Sequence, residues 1–221
     1  MVSDCGGPCP PRKEITFMGQ LYTIGHSTYQ PEHILTLLKE NNINYVLDVR
    51  SNPHSKYASQ FNKEVFSKTL EQVDITYAPM GKYFGARQPD KQYYPNGYLD
   101  FELFRDSSLF KTGIENVLLG LKSYNIALMC TEKHPFDCHR AIMVARGFEL
   151  VGVDVKHILH DGSIMTQAAL NQKLLEHYYP DHNQLSIFDG QDKSEEDCLL
   201  EAYRLRNKEI GYYINDSKKG V

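Results

Sequence analysis

Residues 126–146 read IALMCTEKHPFDCHRAIMVAR: an apolar run ends in Cys130, passes Thr131, Glu132, Lys133 and His134, and reaches Cys138, His139 and Arg140 before a second apolar run begins. These side-chain types suit nucleophilic, acid–base and anion-binding work. A thiolate at Cys130 or Cys138 beside His139 and Arg140 would have a depressed pKa and be usable near neutral pH. His139, or His26 far upstream, is the candidate to move protons; Glu132 and Lys133 are candidates for the remaining acid and base, or for a pair with each other. Arg140 joins Ser27, Arg50 and Lys56 as a candidate phosphate contact, helped by unpaired amides at the start of the helix that follows. The plain alternative is that Cys130 is a buried small hydrophobe and Cys138 a packed loop residue. Zinc also enters, because Cys130, His134, Cys138 and His139 are two thiols and two imidazoles within ten residues. The spacing lacks a paired CxxC clip and adjacent residues 138 and 139 tend to diverge, so no metal or other cofactor is expected, with zinc as the alternative.

The elements that must position these groups follow from the apolar pattern. Residues 126–129 read as a buried strand, 131–140 as a loop, and 140–147 as a helix capped near Gly147. Upstream, 20–24 is a short strand halted at Gly25, followed by the polar turn His26, Ser27, Thr28. Residues 31–40 form a helix with Ile34, Leu35, Leu37 and Leu38 apolar, and 45–49 is a strand of the continuous kind found in parallel sheets. Further strands are expected at 76–79 and 153–159, and helices at 114–122, 165–179 and 198–206. This order gives a single-domain α/β fold with an open, mostly parallel sheet of about four or five strands flanked by helices. The core spans 20–180, between a flexible arm (1–19) and a tail (181–221) whose last residues, 215–221, are expected to be disordered. In such a sheet the loops 25–27, 50–57 and 130–140 should converge at the carboxyl ends of the strands.

At 221 residues with 41% hydrophobic residues, the chain can bury one full core. No stretch resembles a secretion signal or reaches the length of a membrane span. Five cysteines are an odd number without a disulfide framework, which points to free thiols in a reducing, cytoplasmic setting. Cys5 and Cys9, with three residues between them in the arm, are not expected to hold a metal alone. The net charge of −4 gives no global pull on a polyanion. Arg50, Lys56, Lys63, Lys68, Lys82, Arg87 and Lys91 nevertheless alternate with Tyr57, Phe61, Tyr77, Tyr83, Phe84, Tyr93 and Tyr94, a pattern compatible with gripping phosphates and stacking bases. The same stretch also reads as a solvated loop whose tyrosines pack on the core.

Three blocks carry a resemblance: Thr23-Ile24-Gly25-His26-Ser27, Leu47-Asp48-Val49-Arg50-Ser51-Asn52-Pro53, and Met129-Cys130-Thr131-Glu132-Lys133 with Cys138-His139-Arg140. Together they resemble the domain of unknown function family number 488 over about residues 21–179. The resemblance implies an α/β fold and a site built from the three blocks. A lesser likeness is to rhodanese and cysteine-phosphatase domains, in the strand ending Asp48-Val49-Arg50 and the later strand ending in Cys130. Here nine residues without a glycine separate Cys130 from Arg140, so successive amides could not wrap an oxyanion as tightly.

Finally, Gln184, Leu185, Ser186, Ile187 and Phe188 resemble the short peptide by which bacterial DNA-processing proteins bind the replication sliding clamp, with three apolar anchors and a glutamine amide for the groove edge. The alternative is that Leu185, Ile187 and Phe188 fold back on the core. The combined expectation is a cytoplasmic enzyme, with no membrane association, that acts on DNA or a nucleotide unit through a Cys/His/Arg site and is recruited by the clamp. A small-molecule thiol enzyme of sulfurtransferase or phosphatase type, and a non-enzymatic DNA-binding adaptor, are the alternatives.

Overall fold

A computed structural model describes residues 18–180 and 194–214. Its centre is a six-stranded sheet in the order β3-β2-β4-β1-β5-β6. The strands are β1 (Leu21–Gly25), β2 (Tyr45–Asp48), β3 (Thr76–Pro79), β4 (Ile126–Cys130), β5 (Val155–Ile158) and β6 (Ile164–Thr166). The first five run parallel; β6 pairs antiparallel with β5. The sheet thus has the expected class and one strand more than expected.

Strand alternation explains why both faces are apolar. Along β4, Ile126, Leu128 and Cys130 join one core cluster while Ala127 and Met129 join the other. The Ala127 and Met129 face is covered by α1 (Pro31–Glu40) and α2 (Lys63–Glu71) through Ile34, Leu37, Leu38, Phe66 and Leu70. Two short helices, α3 (Gly81–Phe84) and α4 (Phe101–Arg105), lead into α5 (Ser108–Gly120). The opposite face is covered by α5, by a π-helical turn at Arg140–Ala145 running into α6 (Arg146–Leu150), and by α7 (Gln167–Tyr178) and α8 (Glu195–Ile210).

Several elements depart from the sequence expectation: α2 has no expected counterpart, α5 starts at Ser108 rather than 114, and the helical run from Arg140 passes Gly147 to end at Leu150. Residues 164–166 are an edge strand rather than the start of α7, whose N-terminus is set by the Thr166 hydroxyl accepting from the Ala169 amide. The helix expected at 198–206 is longer, beginning with a capping box between Ser194 and Asp197. It places Ala202 and Tyr203 in the main core, so α8 is part of the folded body. Among the described residues, no helix is long and apolar enough to cross a membrane.

The connection leaving β1 travels through α1 to β2, and the one leaving β4 travels through the π turn and α6 to β5. Those excursions go to opposite sides of the adjacent pair β1 and β4, which makes their carboxyl ends the topological switch point where open α/β sheets bind ligands. Gly25 and Cys130 face each other across that end.

Candidate active site

At the switch point β1 and β4 keep pairing beyond their regular ends, with the His26 amide donating to the Cys130 carbonyl and the Ser27 amide to that of Thr131. A cleft of about 430 Å³ opens there. Cys130, Thr131, Glu132, Asp137 and His139 border it from the β4 side, Arg50, Ser51, Asn52 and His54 from the β2 loop, Ala86 and Arg87 from the segment after α3, and residues 210–213 from the end of α8. Arg206 on α8 holds the turn Pro135–Asp137 in place: its Nε donates to the Phe136 carbonyl, its Nη2 pairs with Asp137, and it lies over the Phe136 ring.

Cys130, Glu132 and His139 at this border belong to a four-residue cluster completed by the buried Cys138. Cys130 Sγ and Cys138 Sγ lie 2.9 and 2.7 Å from the same carboxylate oxygen, Oε2 of Glu132. His139 Nδ1 is 3.7 Å from Cys130 Sγ, and its Nε2 is 3.2 Å from the Val49 carbonyl. A carbonyl only accepts, so Nε2 carries a proton and Nδ1 faces the sulfur. Both cysteines are buried, whereas Glu132 is an exposed residue whose carboxylate turns inward. Burial, then the neighbouring Cys138 and Glu132, hold the Cys130 thiol well above its ordinary pKa. Burial acts the same way on Cys138, but contact with Cys130 and the charges of Arg140 and His139 outweigh it, and its pKa lies well below the ordinary value. Cys138 is therefore the stronger acid of the two. Glu132 is pushed up by burial and then by Cys138; His139, despite its burial, is pushed up by Cys138 and Glu132. The four donor atoms all lie within 4.8 Å of one another, a set able to hold a metal ion. It contains Glu132 in place of the His134 considered from sequence; His134 Nδ1 instead accepts from the Phe136 amide.

A second network lies beside it. Arg50 makes a forked pair with Asp48, Nε to Oδ1 at 2.9 Å and Nη2 to Oδ2 at 2.5 Å, and Nη2 also donates to the Phe61 carbonyl. Its Nη1 donates to Nε2 of His26 at 3.0 Å, leaving His26 Nδ1 to donate to the Ser27 carbonyl. The His26 ring stacks on Phe61, and burial followed by the Arg50 charge lowers its pKa to about 4, so it stays neutral. Tyr77 closes the network by donating to Asp48 Oδ2 at 2.6 Å.

A family model described as domain of unknown function DUF488 matches residues 30–146, which takes in Asp48, Arg50 and the cysteine cluster. The chain belongs to the DUF488 family. No curated protein and no solved structure matches it.

In this DUF488 protein, the three blocks singled out from sequence meet at one end of the sheet, but their side chains divide. Cys130, Cys138, His139 and Glu132 form the cluster, and Arg50 reaches the cleft already paired with Asp48. Arg140, expected to hold phosphate, is fully buried: Nη1 donates to the Glu132 carbonyl at 2.5 Å, Nη2 to that of Lys133, and Nε to the Thr23 hydroxyl. The helix amides expected to attract an anion are also engaged, since those of Ala141 and Ile142 both donate to the Cys138 carbonyl. The Lys133 ammonium lies over the Tyr29 ring, Ser27 has a left-handed backbone with φ 47°, and Lys56 is exposed on the β2 loop. Residues 184–188 lie outside the described residues.

The sequence reading missed Glu132 as the group bridging both sulfurs, Arg87, and the wall at 210–213. Arg87 belonged to the basic, aromatic stretch, and its guanidinium sits 4.5 Å over the Tyr212 ring. The wall has no local signal, because only the long-range packing of α8 brings it to the cleft.

Proposed function

We propose that this DUF488 protein is a cytoplasmic enzyme acting on DNA or a nucleotide unit, with Cys130, Glu132, Cys138 and His139 as its reacting centre. The observation that carries this reading is that Cys130, Glu132 and His139 border an open cleft at the switch point of the sheet, with Cys138 buried against them in the same cluster. A thiol sealed in a core is inert, whereas one bordering a cleft with a carboxylate and an imidazole beside it has both a substrate position and proton carriers. Arg87, exposed at the rim over Tyr212, is the wall's available cation for phosphate; Lys56 and Tyr57, the latter 94% exposed, extend the same β2 loop and suit a stacked base with its backbone phosphate. Residues 184–188, resembling a sliding-clamp peptide, supply the recruitment to DNA.

A second reading, a small-molecule thiol enzyme of sulfurtransferase or phosphatase type, draws support from the pairing of Arg50 and Arg140 inside the fold, which leaves fewer cations for a long polyanion. Anisotropy titrations of labelled single-stranded DNA, with nucleoside monophosphates as competitors and at several salt concentrations, separate the two. The DNA reading expects salt-dependent binding that weakens severalfold in the Tyr57→Ala, Arg87→Ala double variant. A wild-type protein that binds neither oligonucleotide nor nucleotide at low salt removes that reading and leaves the small-molecule one.

A further inference from the structure

We propose that Cys130, Cys138 and His139 are buried ligands of a zinc ion, with Glu132 as a fourth, exchangeable ligand facing the cleft. The inference deepens the enzyme reading of the same site, on which it rests for substrate but not for metal.

The donor set is the first argument. Two sulfurs, an imidazole nitrogen and a carboxylate oxygen lie within 4.8 Å of one another, about twice a Zn–S bond of roughly 2.3 Å, so small side-chain movements bring all four to bonding distance of one point. Thiolate and imidazole select zinc over the hard cations magnesium and calcium. The second argument is how His139 is held. Its Nε2 donates to the Val49 carbonyl, which fixes the ring and leaves the Nδ1 lone pair aimed at the cluster. Histidines that bind metals characteristically donate their other ring N–H to such a carbonyl or to a carboxylate. The third is that two thiols converge on one carboxylate oxygen, so a cation bound among them would replace the thiol protons that now bridge to it.

The objection from sequence, that neighbouring residues 138 and 139 should diverge, is met by the backbone. Cys138 is extended, with φ −133° and ψ 134°, while His139 is already helical at φ −58° and ψ −26°. The chain turns between them, and both side chains reach the cluster. The exposed position of Glu132 gives the site its character: three buried ligands hold the ion, and the fourth can yield to water or substrate from the cleft, as in catalytic rather than structural zinc sites.

The test begins with the full chain, purified under reducing conditions without chelator or a metal-affinity column, and its metal content by mass spectrometry. Close to one zinc per chain is expected, and the same in Cys198→Ser and in the Cys5→Ser, Cys9→Ser double variant. His139→Ala and Cys138→Ser should lose it, while Glu132→Gln should keep zinc but surrender it faster to a chelator. Because the cysteine variants could fail to fold, wild-type protein stripped of metal is also titrated with cobalt(II), where a thiolate-to-cobalt charge-transfer band and tetrahedral d–d bands are expected. Wild type with almost no zinc and no such band overturns the proposal, as does a Cys130–Cys138 disulfide in protein kept reduced. Zinc without any oligonucleotide or nucleotide binding would remove the functional reading and leave the metal site standing; binding without zinc would do the reverse.

Discussion

Gly25 and Arg140 share one narrow space between the ends of β1 and β4: a Cβ on Gly25 would stand 1.9 Å from the Glu132 carbonyl oxygen and 2.9 Å from Nη1 of Arg140. The glycine lets the turn at 132–133 pass close, and the guanidinium ties that turn down through both carbonyls. Glu132 is thereby aimed at the two sulfurs. Arg140 is a positioning residue, acting on the cluster through the backbone of its loop.

Two substitutions follow from this contact. Gly25→Ala meets backbone rather than a flexible side chain, so it should cost about 3 kcal/mol, the upper end of ordinary overpacking. Arg140→Ala leaves the Glu132 and Lys133 carbonyls without their donor and opens a cavity, and should cost about 2 to 5 kcal/mol, from about 1 to 3 for each unsatisfied acceptor. Arg140→Lys keeps the charge but not the fork, so it should recover only a minor part. Urea unfolding measures all three. A near-native midpoint for Arg140→Ala, accompanied by weakened phosphate-ligand binding, would return Arg140 to the role first expected of it.

The buried pair of Asp48 and Arg50 makes a separate prediction. Asp48→Asn removes one charge and leaves Arg50 uncompensated beside a neutral His26, which should destabilise the fold by about 3 to 5 kcal/mol. Combining it with Arg50→Met should be less harmful than the sum of the single changes, because no buried charge is then left alone. A double-mutant cycle showing simple additivity would mean the pair is not coupled.

The strands were legible because a buried parallel strand reads as a short, mostly apolar run: residues 126–130 are continuously apolar, and 21–25 and 45–48 are so apart from Thr23 and the terminal Gly25 and Asp48. The three-residue β6 was not: Ile164, Met165 and Thr166 fit the start of the helix that follows just as well. Residues 80–105, built from short helices and turns, carry no sustained period. The cluster was half legible. Cysteine and histidine types identify the loop, but an arginine looks the same in sequence whether its donors meet a substrate phosphate or the carbonyls of its own loop. Only the turn geometry at Gly25 decides that.

His157 predicts a pH dependence independent of the cluster. Its Nδ1 accepts from Thr23 on β1, its Nε2 donates to Gln167 on α7, and Gln167 donates to Tyr203 on α8. Burial, then the Arg140 charge, lower its pKa to about 3, with the Gln167 bond opposing and His134 adding a smaller lowering effect. The folded value is depressed below the unfolded 6.5, so this stabilisation is complete above pH 6.5 and is lost as pH falls toward 3. One proton gives a slope of up to ~1.4 kcal/mol per pH unit in that window. Wild type minus His157→Gln, by urea unfolding from pH 7.5 to 5, should therefore shrink as the pH drops. A difference constant across the range would show that His157 takes no extra proton on unfolding.

The recruitment proposal stands or falls on Leu185 and Phe188. A pentapeptide with three apolar anchors in a groove typically gives micromolar affinity, about −7 to −8 kcal/mol, which suits transient attachment to a moving clamp. Anchor residues carry a disproportionate share of such energy, so the Leu185→Ala, Phe188→Ala double variant should lose most of the binding. The sequence reads as a connector there, between Pro180 and the Ser194 cap of α8, and on that reading the melting temperature should barely change. The experiment is a calorimetric titration of purified sliding clamp with both proteins, beside their thermal unfolding. Absence of wild-type binding at high micromolar clamp would remove recruitment while leaving the cleft chemistry untouched. A large fall in the variant's melting temperature would show instead that these side chains pack on the folded body. The two outcomes are separable because clamp binding reads the groove contact, and unfolding reads only what the segment contributes to its own chain.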